Sequence, residues 1–153
     1  MFRKPRLALA AAPMVVALVA VGCGSDNNGN STSTAAITKA VFVAKSNAIC
    51  TTGNQAATAA ATKEFGNRRP SQAQFASFAA ATYVPNIQSQ IDQIRALGAP
   101  SGDEATVTKI LDTAQTDLNK VKSDPALLGG NSAFADFKTV ARPYGLTSCA
   151  SGG

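Results

Sequence analysis

An apolar run that ends at a cysteine constrains this chain more than any other feature. It removes the N-terminus from the fold and decides what the remaining cysteines can do. Arg3, Lys4 and Arg6 form a basic start. Leu7 to Val21 is an apolar run of 15 residues. A comfortable membrane span takes about 20, whereas this length suits the apolar core of a secretory signal. Ala20-Val21-Gly22 sets small residues directly before Cys23. That pattern matches the looser form of a bacterial lipobox, the tighter form having Leu three places before the Cys. In this reading residues 1–22 are a lipoprotein signal peptide, and Cys23 becomes the first residue with diacylglycerol on its sulfur. The chain is then anchored to the cell membrane on its extracytoplasmic face. Ordinary secretion with Cys23 as a bystander thiol, or an uncleaved anchor, are the alternatives.

The next stretch fits a tether. From Gly24 to Thr34 no side chain is apolar, so the segment cannot bury enough surface to offset its ordering entropy. Residues 23–36 are therefore expected to be a flexible lipidated linker and residues 37–153 the folded domain. Removing Arg3, Lys4 and Arg6 takes three charges from the formal +5 and leaves +2 over residues 23–153. The basicity is mostly a targeting signal, and the remainder makes no case for nucleic acid.

With Cys23 assigned to lipid, Cys50 and Cys149 remain. Two thiols in an exported domain read as one disulfide. A reactive dithiol is the other reading, but the chain has no C-x-x-C and no His to acidify a thiol. The missing His also removes the commonest general base and most zinc sites. Acidic residues are sparse. Asp112 and Asp117 are five apart and do not share a helix face, and Asp103-Glu104 suits the dipole of a first helical turn. No catalytic residue, metal site or cofactor is expected.

The domain reads as helical throughout. Helix one spans about Thr38 to Phe65, with Ile37, Val41, Ala44 and Ala48 as its expected inner stripe and Gly66 as its stop. Helix two starts at Ser71, whose spacing to Gln74 fits a capping box. Phe75, Phe78, Ala79, Tyr83, Ile87, Ile91 and Ile94 follow at spacings of three and four. Pro85 falls inside that pattern, and because the stripe continues in phase a kink is expected rather than a split. Helix three opens on a second expected capping box, Ser101 with Glu104, and buries Val107, Ile110, Leu111, Ala114, Leu118 and Val121, with Asp117 elsewhere. Asp124-Pro125 caps a short turn. Helix four starts near Ser132 and is closed by Pro143 and Gly145. The expected fold is all-α, an antiparallel four-helix-bundle-like domain with a kinked second helix. Its C-terminal tail would be stapled through Cys149 to Cys50.

Several stretches together resemble a family. Phe42-Val43-Ala44-Lys45-Ser46-Asn47-Ala48-Ile49-Cys50 resembles the "F…A…IC" opening of small exported helical lipoproteins of actinobacteria. Pro85-Asn86-Ile87-Gln88 and Ile94 to Pro100 resemble their second helix. Asp124 to Leu128 and Tyr144-Gly145-Leu146-Thr147-Ser148-Cys149 resemble their ending. The similarity runs from about Ile37 to Cys149 and departs at Ala99-Pro100, where a Pro-Pro pair is common. It implies a two-Cys helical lipoprotein and carries no activity with it.

Three functions of different class are compatible with these residues. The first is a non-enzymatic lipoprotein, attached to the membrane through Cys23, that binds another envelope protein or a wall polymer. Arg68-Arg69 is the one concentrated basic spot, and it reads either as a solvated loop or as a contact for an anionic lipid or wall polymer. The second is a carrier of a small apolar ligand in a pocket between helices at the Pro85 kink. The third, an enzyme working without His, has no motif to support it.

Overall fold

The computed structural model describes residues 36–130 and 132–152. The leader 1–22, Cys23 and the linker as far as residue 35 lie outside the described residues. Residues 33–153 form a unit of their own, and every residue of the core lies within it. This unit therefore carries a hydrophobic core of its own.

Among the described residues the fold is all-α, with four helical rods. The first is α1 (Lys39–Phe65), capped at its start by Thr38, whose Oγ1 accepts from the Val41 N–H. The second rod joins α2 (Gln72–Phe78) to α3 (Val84–Ala96) through a wide π turn, Ala79–Tyr83. The third is α4 (Glu104–Ser123), followed by a 3-10 turn, Pro125–Gly129, and the fourth is α5 (Ala135–Tyr144). Each rod packs against the next in an antiparallel bundle: α1 on α3, α3 on α4, and α4 on α5.

Local chemistry explains most of the boundaries. The Ser71–Gln74 capping box forms in both directions, Gln74 N–H to Ser71 Oγ at 3.2 Å and Ser71 N–H to Gln74 Oε1 at 2.9 Å. Asp124 caps the 3-10 turn by accepting from the Ala126 N–H at 3.1 Å. Pro85 bends the second rod without ending it. A proline donates no N–H and crowds the preceding turn. The π turn just before it widens the spiral, with the Val84 N–H reaching back to the Ala79 carbonyl.

Four expectations need correction. On α1 the buried residues are Phe42, Ser46, Cys50 and Gly53; Val41, Ala44 and Ala48 face out, Val41 at 44% exposure. Ala on every side of this helix leaves its apolar periodicity diffuse, so the inner face is set by what can pack closest. The Ser101 capping box does not form. Ser101-Gly102 make a turn with Gly102 at φ +86°, Asp103 takes the N-cap position without capping, and Glu104 Oε2 accepts from the Gly102 N–H instead. Asp117 is buried rather than solvated; it accepts from the Phe137 N–H at 3.0 Å and from Lys120 Nζ at 2.8 Å. Helix α5 begins at Ala135, three residues after Ser132, and carries Pro143 in its last turn.

α5 ends in a Schellman motif. Gly145 takes φ +106°, its N–H meets the Arg142 carbonyl at 3.0 Å, and the Leu146 N–H meets that of Ala141 at 3.1 Å. The motif turns the chain back onto α1. There Cys149 is bonded to Cys50, with Cα atoms 4.9 Å apart.

Two substitutions probe this arrangement. Cys50→Ser in residues 33–153 should lower unfolding stability by roughly 2–4 kcal/mol; an unchanged urea midpoint contradicts that. The Ser46 hydroxyl is fully buried with no hydrogen-bond partner among the described residues. Ser46→Ala should therefore raise stability by about 1 kcal/mol, read in the same titration, and a loss would show that the hydroxyl is satisfied.

Candidate functional site

The helical rods do not close completely. A cavity of about 350 Å³ lies between α1, the α2–α3 rod, α4 and the C-terminal tail. Its apolar wall includes Ile91, Ile94, Ile110 and Leu111, all in the core, with Phe134 and Phe137 from the α5 region. The tail contributes Leu146, Cys149 and Gly152, so the disulfide itself forms part of the lining.

The cavity follows from the sequence around it. Ala57 and Ala114 line it; where a Leu would fill the gap, a methyl group does not. The π turn shifts the register of the second rod, so that Tyr83 and Ile87 on either side of Pro85 both reach the wall. Phe75 and Tyr83 stand 6.3 Å apart, and Phe78 packs edge-on to Tyr83 at 5.2 Å and to Phe65 at 5.0 Å. These four half-buried rings form an aromatic cluster apart from the main core. Tyr83, on the apolar stripe expected of helix two, thus lines the cavity.

Among the described residues the polar lining is uncharged: Asn54 and Thr58 from α1, Asn86 and Gln90 from α3. Gln90 Nε2 donates to Asn86 Oδ1 at 2.6 Å. This pair also lines a shallower groove between α1 and α3. Gly53 makes room for it, since a Cβ there would run into the Gln90 side chain. Sequence reasoning did not single out these amides. The available signal was a Gly in mid-helix beside Asn54, and two polar pairs at i, i+4, Asn54–Thr58 and Asn86–Gln90.

A second polar cluster sits elsewhere. The Tyr144 hydroxyl donates to Asp103 Oδ2 at 2.8 Å, and Lys39 Nζ lies 3.7 Å from the same oxygen and 4.2 Å from the centre of the Tyr144 ring. Burial, and then the Asp103 carboxylate, push the Tyr144 pKa well above its ordinary value. Lys120 bridges Asp117 and Asp136, and those hydrogen bonds raise its pKa. Both clusters tie helices together. Arg95 reaches Asp112 on α4 at 3.7 Å as well as Asp92 on its own helix at 3.9 Å. Arg142 donates to the Ala150 carbonyl in the tail.

Of the site residues expected from sequence, Cys50 and Cys149 come together as a disulfide, and Cys23 lies outside the described residues. Arg68 and Arg69 are exposed in the turn between α1 and α2. Among the described residues no three His, Cys, Asp or Glu are grouped so as to hold a metal ion, and no helix is long and apolar enough to cross a membrane. No protein-family model matches the chain, and no curated protein or solved structure does.

The Tyr144 hydroxyl makes a pH prediction. Its folded pKa lies above the unfolded value of about 10, so the folded state keeps a proton that the unfolded state loses. Stability should be intact below pH 10 and fall as pH rises beyond it. Tyr144→Phe should lower stability at pH 7 by about 1 kcal/mol and flatten the alkaline fall. Parallel urea titrations at pH 7 and pH 11 check this, and equal alkaline losses in both proteins would refute it.

Proposed function

We propose that this chain is a non-enzymatic envelope lipoprotein, anchored to the cell membrane by diacylglycerol on Cys23, whose helical domain carries a small apolar ligand. The anchor rests on the basic start, the short apolar run and the small residues before Cys23, and on the resemblance to exported actinobacterial lipoproteins. The carrier role rests on one observation, the apolar cavity of about 350 Å³ beside the Pro85 bend. Ligand sites in folded proteins are commonly apolar hollows of 300 to 1,000 Å³ with a few polar groups. A tethered carrier at a membrane face can collect and release apolar molecules where they partition. Exposed Arg68 and Arg69, which make no ion pair among the described residues, support a second role: holding the domain against an anionic wall polymer or lipid headgroup.

Two measurements test the reading. Peptide mass spectrometry of the chain extracted from envelopes should find diacylglycerol on residue 23; a bare thiol there refutes the anchor. Residues 33–153 should brighten the neutral apolar dye 1-aminonaphthalene, and Ala57→Phe, which fills the cavity from α1, should abolish the signal without lowering helix content. Equal brightening by both proteins refutes the carrier role.

A further inference from the structure

The cavity's lining carries information about its ligand. Among the described residues twenty line it, and none of these is charged. A charged group entering such a site gives up hydration and meets no counter-ion, a large cost. The polar side chains present are neutral donors and acceptors. Asn54 donates through Nδ2 to the Ser148 carbonyl at 3.2 Å, and Gln90 donates to Asn86. The remaining amide atoms, Asn54 Oδ1, Asn86 Nδ2 and Gln90 Oε1, have no hydrogen-bond partner among the described residues, and neither has the Tyr83 hydroxyl. None of these atoms is fully buried, so each can exchange water for the head of a ligand.

Size narrows the class further. A dry apolar cavity of 150 Å³ holds benzene, so about 350 Å³ holds about twice that, on the order of 12 non-hydrogen atoms. We infer that the cavity takes an uncharged amphiphile of this size: an apolar chain or ring system among the isoleucines and phenylalanines, with a neutral hydroxyl or amide head at Asn54, Asn86 and Gln90. This rests on the carrier reading above and adds selection against charge. The amides serve as a neutral filter, since they hydrogen-bond an alcohol as well as water does but cannot neutralise a carboxylate or an ammonium.

The test uses residues 33–153 with the disulfide formed, and titrates decan-1-ol, decanoate and decyltrimethylammonium at pH 7.5, followed by displacement of 1-aminonaphthalene. Decan-1-ol should displace the dye at a concentration at least tenfold below that needed for either ion. Thr58 is an exposed residue of the lining, so Thr58→Arg adds a cation there without disturbing the core. It should strengthen decanoate at least tenfold relative to decan-1-ol, and an unchanged ratio overturns the selection against charge. If decanoate competes as well as decan-1-ol in the unaltered protein, and Ala57→Phe blocks both, the neutral filter falls while the carrier role stands. If none of the three displaces the dye, or Ala57→Phe makes no difference, both fall.

Discussion

Residues 146–152 form no helix, yet Leu146, Cys149 and Ala150 are as buried as the centre of α4. The clasp between this tail and α1 is what the rest of the domain depends on. Asn47 holds it from both sides, donating to the Gly145 carbonyl and accepting from the Ser148 N–H, each at 2.9 Å. Cys50 adds the covalent bond, and Asn54 takes the Ser148 carbonyl. These three residues lie at spacings of three and four, so one stripe of α1 grips the tail's backbone. Buried loop backbone needs such partners, because an unpaired peptide group away from water is costly. The bridge joins residues 99 positions apart, which in a chain-entropy model removes up to about 4.7 kcal/mol of unfolded-state freedom. Without the clasp, the cavity would lose the wall made by Leu146 and Cys149.

The opposite side of the bundle is organised by α4, whose apolar stripe is buried between α3 and α5. Asp117 sits on that buried surface and takes the Phe137 N–H, one of the donors left without an intrahelical partner in the first turn of α5. A carboxylate so placed is tolerable only because it is hydrogen-bonded and because Lys120 stands at its edge. The same lysine reaches Asp136, so one ion network sets where α5 begins. This accounts for the start at Ala135 rather than near Ser132: the first turn forms where its N–H meets Asp117.

Between these two fixed sides the packing is loose in one place, and for identifiable reasons. Alanines replace larger side chains at 57 and 114, Pro85 and the π turn displace one wall, and a buried glycine lets Gln90 lie against α1 instead of filling the middle. The aromatic cluster of Phe65, Phe75, Phe78 and Tyr83 then holds the far ends of α1 and the second rod together by ring contacts. The cavity therefore arises from the packing of several elements.

Much of this was legible in the residues alone. The all-helical fold, the Ser71 and Asp124 caps, the inner face of α4 and the Cys50–Cys149 pairing follow from periodicity, capping chemistry and cysteine arithmetic, which act over a few residues or by elimination. The inner face of α1 was not legible, because Ala on every side blurs its apolar period, and because Asn47, Cys50 and Asn54, which hold the tail, find their partners about 100 positions away. Asp117 and Ser101 were misplaced for related reasons: one is buried by a donor on another helix, and the other is displaced by a turn at Gly102. The cavity and its neutral amides lie furthest from sequence reasoning. Local rules determine which segments coil and where they stop. Only tertiary packing decides where side chains from four elements fail to meet, because a gap is a property of their joint volumes and of no single segment.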